Sequence, residues 1–160
     1  MLTVTLAGDR ELIERLESMP TTVREALDRK VSELALRLEA KVKGKLSGEV
    51  LQVRTGALRR SIAGDVTHTA ASVTGRVYSS GDVKYAGIHE FGGTTKAHVI
   101  EALNGKALAF KAGGKPVFAK RVNHPGSKVP ERSYLRSSLT EMRDEIVEGL
   151  RQTVADSIRK

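Results

Sequence analysis

The sequence predicts an α+β chain, an antiparallel sheet with hairpins packed against N-terminal helices and a long C-terminal helix. Three observations carry this. Near both ends of the 160 residues, apolar side chains recur every three or four positions, the period of an amphipathic helix. Between the ends the period becomes two, with glycine turns separating the runs. Charge divides the chain at the same places: 51–130 holds twelve basic against four acidic residues, while 1–50 (nine and nine) and 131–160 (six and six) are neutral. One domain is expected over 1–160, with 1–50 helical, 51–130 basic and β-rich, and 131–160 a long helix.

Leu2, Val4 and Leu6 alternate with polar residues, which predicts a short strand. Asp9 is placed to cap a helix through Met19, with Leu12, Ile13 and Leu16 on one face, and Pro20 breaks the chain. Thr22 and Glu25 have the spacing of a capping box, in which hydroxyl and carboxylate each satisfy a free backbone N–H. Val23, Leu27, Val31, Leu34, Leu38 and Val42 then predict an amphipathic helix to about Lys45, ended by Gly44 and Gly48. Thr55 caps a short helix that turns Leu58 and Ile62 inward and Arg59 and Arg60 outward. From Ala63 to Ser79 the alternation predicts a hairpin turning near Ala70-Ala71.

Lys84 to Phe91 reads as a helical turn stopped by Gly92 and Gly93. A second hairpin is expected across Asn104-Gly105, joining Val99–Leu103 to Lys106–Phe110, because that dipeptide readily supplies two positive φ angles. Gly113-Gly114 makes another turn, Val117–Val122 a further strand, and His124-Pro125-Gly126 closes the region. Leu135, Leu139, Met142, Ile146, Leu150, Val154 and Ile158 form one stripe on a last helix, a rod of roughly 40 Å.

Composition excludes several functions. With no Cys there is no disulfide, thiolate chemistry or Cys-based zinc site. The start lacks a signal peptide's basic and apolar regions and no stretch reaches membrane-spanning length, so a protein made in the cytosol is expected. His68, His89, His98 and His124 have no ligand-pair spacing, and no serine lies in a nucleophile elbow. Gly113-Gly114-Lys115 lacks the rest of a phosphate loop, and four scattered acids do not make a two-metal nuclease centre. Neither enzyme nor cofactor is expected. Phe110 and Phe118 alternate with Leu108 and Val122, which predicts core positions rather than base-stacking platforms. What remains is a lysine-rich β region suited to unspecific phosphate contact.

Five segments, taken in order, resemble one family. They are Arg54-Thr55-Gly56-Ala57-Leu58-Arg59-Arg60-Ser61-Ile62, Tyr85-Ala86-Gly87-Ile88-His89-Glu90-Phe91-Gly92, Lys106–Phe110, Val122–Lys128 with its His124-Pro125-Gly126, and Tyr134-Leu135-Arg136. In this order and spacing, from about Leu2 to Leu139, the chain resembles the tail-completion, or head–tail joining, proteins of long-tailed bacteriophages and prophages, which include minor tail protein Z. Two segments depart from that pattern: Gly93 intervenes before Thr94, and Pro130-Glu131 stands where a Pro-Phe pair is usual. The resemblance implies a structural virion protein of the neck, assembled in the host bacterial cytoplasm without a membrane. It also implies self-association into a sixfold ring, with connector, tail terminator or tube as neighbours. Such a ring surrounds DNA in transit, which favours weak, sequence-blind positive charge from hydrated lysines. Lys106, Lys111, Lys115, Lys120 and Arg121 are the candidates to line or rim the channel. A cytosolic protein that coats DNA without specificity is the alternative.

Overall fold

The computed structural model describes residues 21–159 apart from 70, 71, 82, 104 and 106. The expected Leu2–Leu6 strand, Asp9–Met19 helix, Pro20 break and Ala70-Ala71 turn, together with Lys106, lie outside the described residues.

Helix α1 (Thr21–Gly44) follows the three-four spacing, burying Val23, Leu34, Ala35 and Val42. Thr22 lies within this helix rather than ahead of it. Gly44 keeps helical torsions (φ −60°), and the chain leaves through an irregular turn, Lys45–Glu49, where Gly48 takes φ 121°. Of the two glycines, only Gly48 has the left-handed torsion that ends a helix. Leu46 of this turn joins Val42, Leu51, Leu58, Ile62 and Tyr134 in the main core cluster.

Helix α2 (Ala57–Ser61) is the short helix expected after Thr55, whose Oγ1 accepts the Ala57 amide at 3.3 Å. Leu58 and Ile62 are buried, while Arg59 and Arg60 are exposed. The chain passes straight into β1 (Ile62–His68), paired antiparallel with β2 (Val73–Ser79). Helix α1 lies across this hairpin. Gly75 permits the close approach: a Cβ there would stand 3.2 Å from Val31 Cγ1 and 3.3 Å from Ala35 Cβ.

After helix α3 (Ala86–Phe91), stopped by Gly92 at φ 67°, the chain departs from expectation. Six strands follow: β3 (Gly93–Thr94), β4 (His98–Glu101), β5 (Leu108–Ala112), β6 (Lys115–Ala119), β7 (Arg121–His124) and β8 (Lys128–Val129). The hairpin expected across Asn104-Gly105 is replaced: β4 pairs with β7 and β5 with β6, folded about Gly113-Gly114. Both glycines take positive φ, 57° and 79°, as a tight hairpin turn requires. A turn here gives every strand a partner, whereas one at Asn104-Gly105 would leave β6 and β7 unpaired.

One register runs from Gly93 opposite Val129 to Glu101 opposite Arg121. It then shifts, so that Leu108 faces Ala119, with residues 102–107 on the outgoing side against Lys120 alone on the return. At the shift the Ala102 amide bonds the Lys120 carbonyl at 3.1 Å, and the single strand expected over Val117–Val122 is broken there. The result is a long two-stranded ribbon whose outer part packs chiefly on itself. Phe110 and Phe118, expected in the core, are 38% and 70% exposed, because a ribbon without a second layer cannot cover them.

The last helix is two segments, α4 (Leu135–Glu141) and α5 (Arg143–Ile158), separated at Met142 (φ −92°, ψ −2°). The expected single rod is interrupted there, with the Met142 amide bonding the Ser138 carbonyl at 3.1 Å. Both segments pack on α1, tied by Arg37–Glu145 at 2.6 Å and Lys41–Glu141 at 2.9 Å. The fold is α+β with antiparallel strands throughout, organised around α1.

Candidate functional site

Two of the motif segments meet at a buried carboxylate. Glu90, in the last turn of α3, is 2% exposed and faces the N-terminus of α4. It accepts the amides of Tyr134, Leu135 and Arg136 at 2.8–2.9 Å and the Ser133 hydroxyl at 2.8 Å. Burial pushes its pKa up, but those four hydrogen bonds outweigh burial and hold it below the usual carboxylate value. The Tyr134 hydroxyl reaches back to the Ala86 carbonyl at 3.2 Å, its pKa pushed up to about 12 by burial and by the Glu90 charge. Arg136 lies 4.8 Å over the Phe91 ring. At Gly92 any Cβ would come within 2.7 Å of the Glu131 amide, so the junction requires glycine. Tyr85 meets His89 edge to face.

The other motif residues are also structural where they touch something. Arg60 bonds the Thr55 carbonyl at 2.9 Å across Gly56, which takes φ 71°. Ser61 links α2 to the end of β2, donating to the Leu58 carbonyl at 2.7 Å and sharing a hydrogen bond with Ser79 at 2.8 Å. On the ribbon, the His124 Nδ1 accepts the Gly126 amide at 3.0 Å around Pro125. Gly126 has φ 96°, and a Cβ there would lie 2.1 Å from the Thr95 carbonyl oxygen. His98, directly opposite His124, stacks on it at 5.0 Å.

The expected channel cations sit on the exposed part of the ribbon. Lys111 and Lys115 flank the Gly113-Gly114 tip. Lys111 pairs with Pro116 and Lys115 with Ala112, which puts the two lysines on opposite faces. Lys120 stands at the register shift, and Arg121 lies 3.9 Å from Glu101, both exposed. Phe118 shares its face with Lys111, Phe110 with Lys115, and Leu103, near the shift, is 93% exposed.

A second cationic surface was not expected. Arg54, Arg59 and Arg132 line an open groove of about 900 Å³ with Tyr85, His89 and apolar residues including Leu46, Val53 and Leu58; Glu49 is its one acid. The His89 Nδ1 is buried there without a hydrogen-bond partner. Burial, then the neighbouring Arg132 charge, lowers the His89 pKa. Sequence placed Arg59 and Arg60 outward but gave no sign that Arg54 and Arg132 would join Arg59 in a groove, since 73 positions separate Arg59 from Arg132.

Among the described residues no three His, Asp or Glu side chains gather as metal ligands, and no helix is long and apolar enough to cross a membrane. Both cationic surfaces suit binding of anions or of other protein surfaces. Residues 33–156 match the phage virion morphogenesis family, a span that takes in all five motif segments. No curated protein and no solved structure matches the chain. With Glu90, Gly92 and Gly126 accounted for as fold determinants and Arg54 and Arg59 exposed, the chain belongs to the phage virion morphogenesis family, as a structural protein that works in contact with other phage proteins.

Proposed function

We propose that the chain is the tail-completion subunit of a phage neck. It assembles with copies of itself into a sixfold ring around the DNA channel, between the connector on the head side and the tail terminator or tube. One observation carries this reading: the ribbon leaves the helical core and exposes Phe118 and Leu103 beside unpaired lysines. Large apolar residues presented this way call for cover by another chain. Their lysine neighbours suit a wall past which DNA slides without sequence recognition. Because Lys111 and Lys115 point to opposite faces, the ribbon rims the channel better than it lines it.

Deleting the gene tests the assignment. The expected particles are filled heads and finished tails that fail to join, whereas normal infectious virions sink the neck reading. The isolated subunit should bind DNA feebly; tight binding with a steep salt dependence would favour a cytosolic DNA-coating protein instead.

A further inference from the structure

Five cations of α1 are neutralised within the subunit: Arg29 by Glu25, Lys30 by Glu33, Arg37 by Glu145, Lys41 by Glu141 and Lys43 by Glu39. Arg54, Arg59 and Arg132 are treated differently. They converge on one groove, exposed and without an ion pair, around the partnerless His89 Nδ1. Planar guanidinium forks pair with carboxylates and phosphates alike, and the apolar walls between them favour carboxylates carried on an apolar protein surface.

The same chain carries a surface of that kind. On α5, Asp144, Val147 and Glu148 occupy positions i, i+3 and i+4, so they form one patch. All three are exposed, Val147 at 38%, and neither acid has a partner, in contrast to Glu145 on the α1 side. The patch lies on α5, which packs on α1, and the groove is built from the loop after α1, α2 and the approach to α4. They are different surfaces, so joining them between copies makes a head-to-tail contact, the type that closes into rings.

We infer that the Arg54–Arg59–Arg132 groove receives the Asp144–Val147–Glu148 patch of a second copy of this chain. The inference rests on the self-association within the proposed function and names the surfaces that carry it.

Charge reversal in a gene-deletion phage supplied with variants in trans tests the contact. Arg54→Glu with Arg59→Glu makes groove and patch both acidic; Asp144→Lys with Glu148→Lys makes both basic. Neither variant alone should restore infectivity. The two together should restore it, because unlike copies attract at every junction when they alternate, and a sixfold ring has an even number of places. All four positions are exposed, so melting temperatures should stay at the wild-type value, and the single Arg54→Ala variant serves as a milder check with partial loss of titre. Infectivity from either double variant alone overturns the contact. So does failure of the mixture while wild type complements, and that result leaves the neck reading standing. If deletion has no phenotype at all, the neck reading falls first and the contact with it.

Discussion

Glu90 shows how one side chain can join two distant parts of a chain. Its carboxylate is a negative charge at the N-terminus of a helix, where free amides and the helix dipole both favour it. Replacing it by Gln points an amide nitrogen at backbone donors. The expected cost of Glu90→Gln is about 3 kcal/mol, which denaturant titration will measure. The sign of its pH dependence follows from the lowered pKa: the stabilisation is complete above the ordinary carboxylate value of 4.5 and is lost as pH falls below it. The wild-type stability curve should therefore drop faster below that pH than the curve of the Gln variant. Gly126 gives a second test at this scale. Gly126→Ala drives a Cβ into the Thr95 carbonyl and should cost about 3 kcal/mol or more, whereas Gly113→Ala, with open space at the ribbon tip, should cost about 1 kcal/mol. The sequence marked Glu90 and both glycines, but it could not show why. The amides that Glu90 binds begin 44 positions away, and a glycine's close neighbour is a property of the fold.

At the scale of elements, α1, α2, α3 and the first hairpin were legible because their patterns are local, whereas the last helix, read as one rod, is two segments. Leu58 and Ile62 behave as their spacing requires, whereas the cap position expected at Thr55 is taken by Gly56 in the left-handed region, with Thr55 one residue ahead of it. The ribbon was misread in part: the turn expected at Gly113-Gly114 is present, but β4 pairs with β7 rather than with the strand after Asn104-Gly105, because strand pairing depends on partners far along the chain and not on local turn propensity alone. The Phe110 and Phe118 alternation was read correctly as a strand and wrongly as burial, since a period of two reports a strand whether or not a second layer covers it. That error leads to a prediction. Phe118→Ser should change the stability of the isolated subunit by no more than about 0.5 kcal/mol, because the side chain is already in water. The same change should reduce incorporation into particles, measured by blotting purified virions. A loss of monomer stability comparable to a core truncation would mean that Phe118 is covered within the subunit.

For the molecule as a whole, the balance of charge is clearer from structure than from composition. The positive excess of the middle half was plain in the sequence, yet the structure divides it between a ribbon and a groove, which ask for different neighbours. The groove could not be read in advance, because its third arginine comes from the approach to α4. The ribbon has one more effect, on where the last helix begins. Its register is continuous from Glu101–Arg121 down to Gly93–Val129, immediately beside Glu90 and Tyr134. With Gly93 paired to Val129 and the Arg132 amide bonding the His89 carbonyl at 2.8 Å, the base of the ribbon sets the two chain segments side by side where Glu90 meets Tyr134. The arm that reaches outward at its tip thus also fixes, at its base, the point from which the last helix starts.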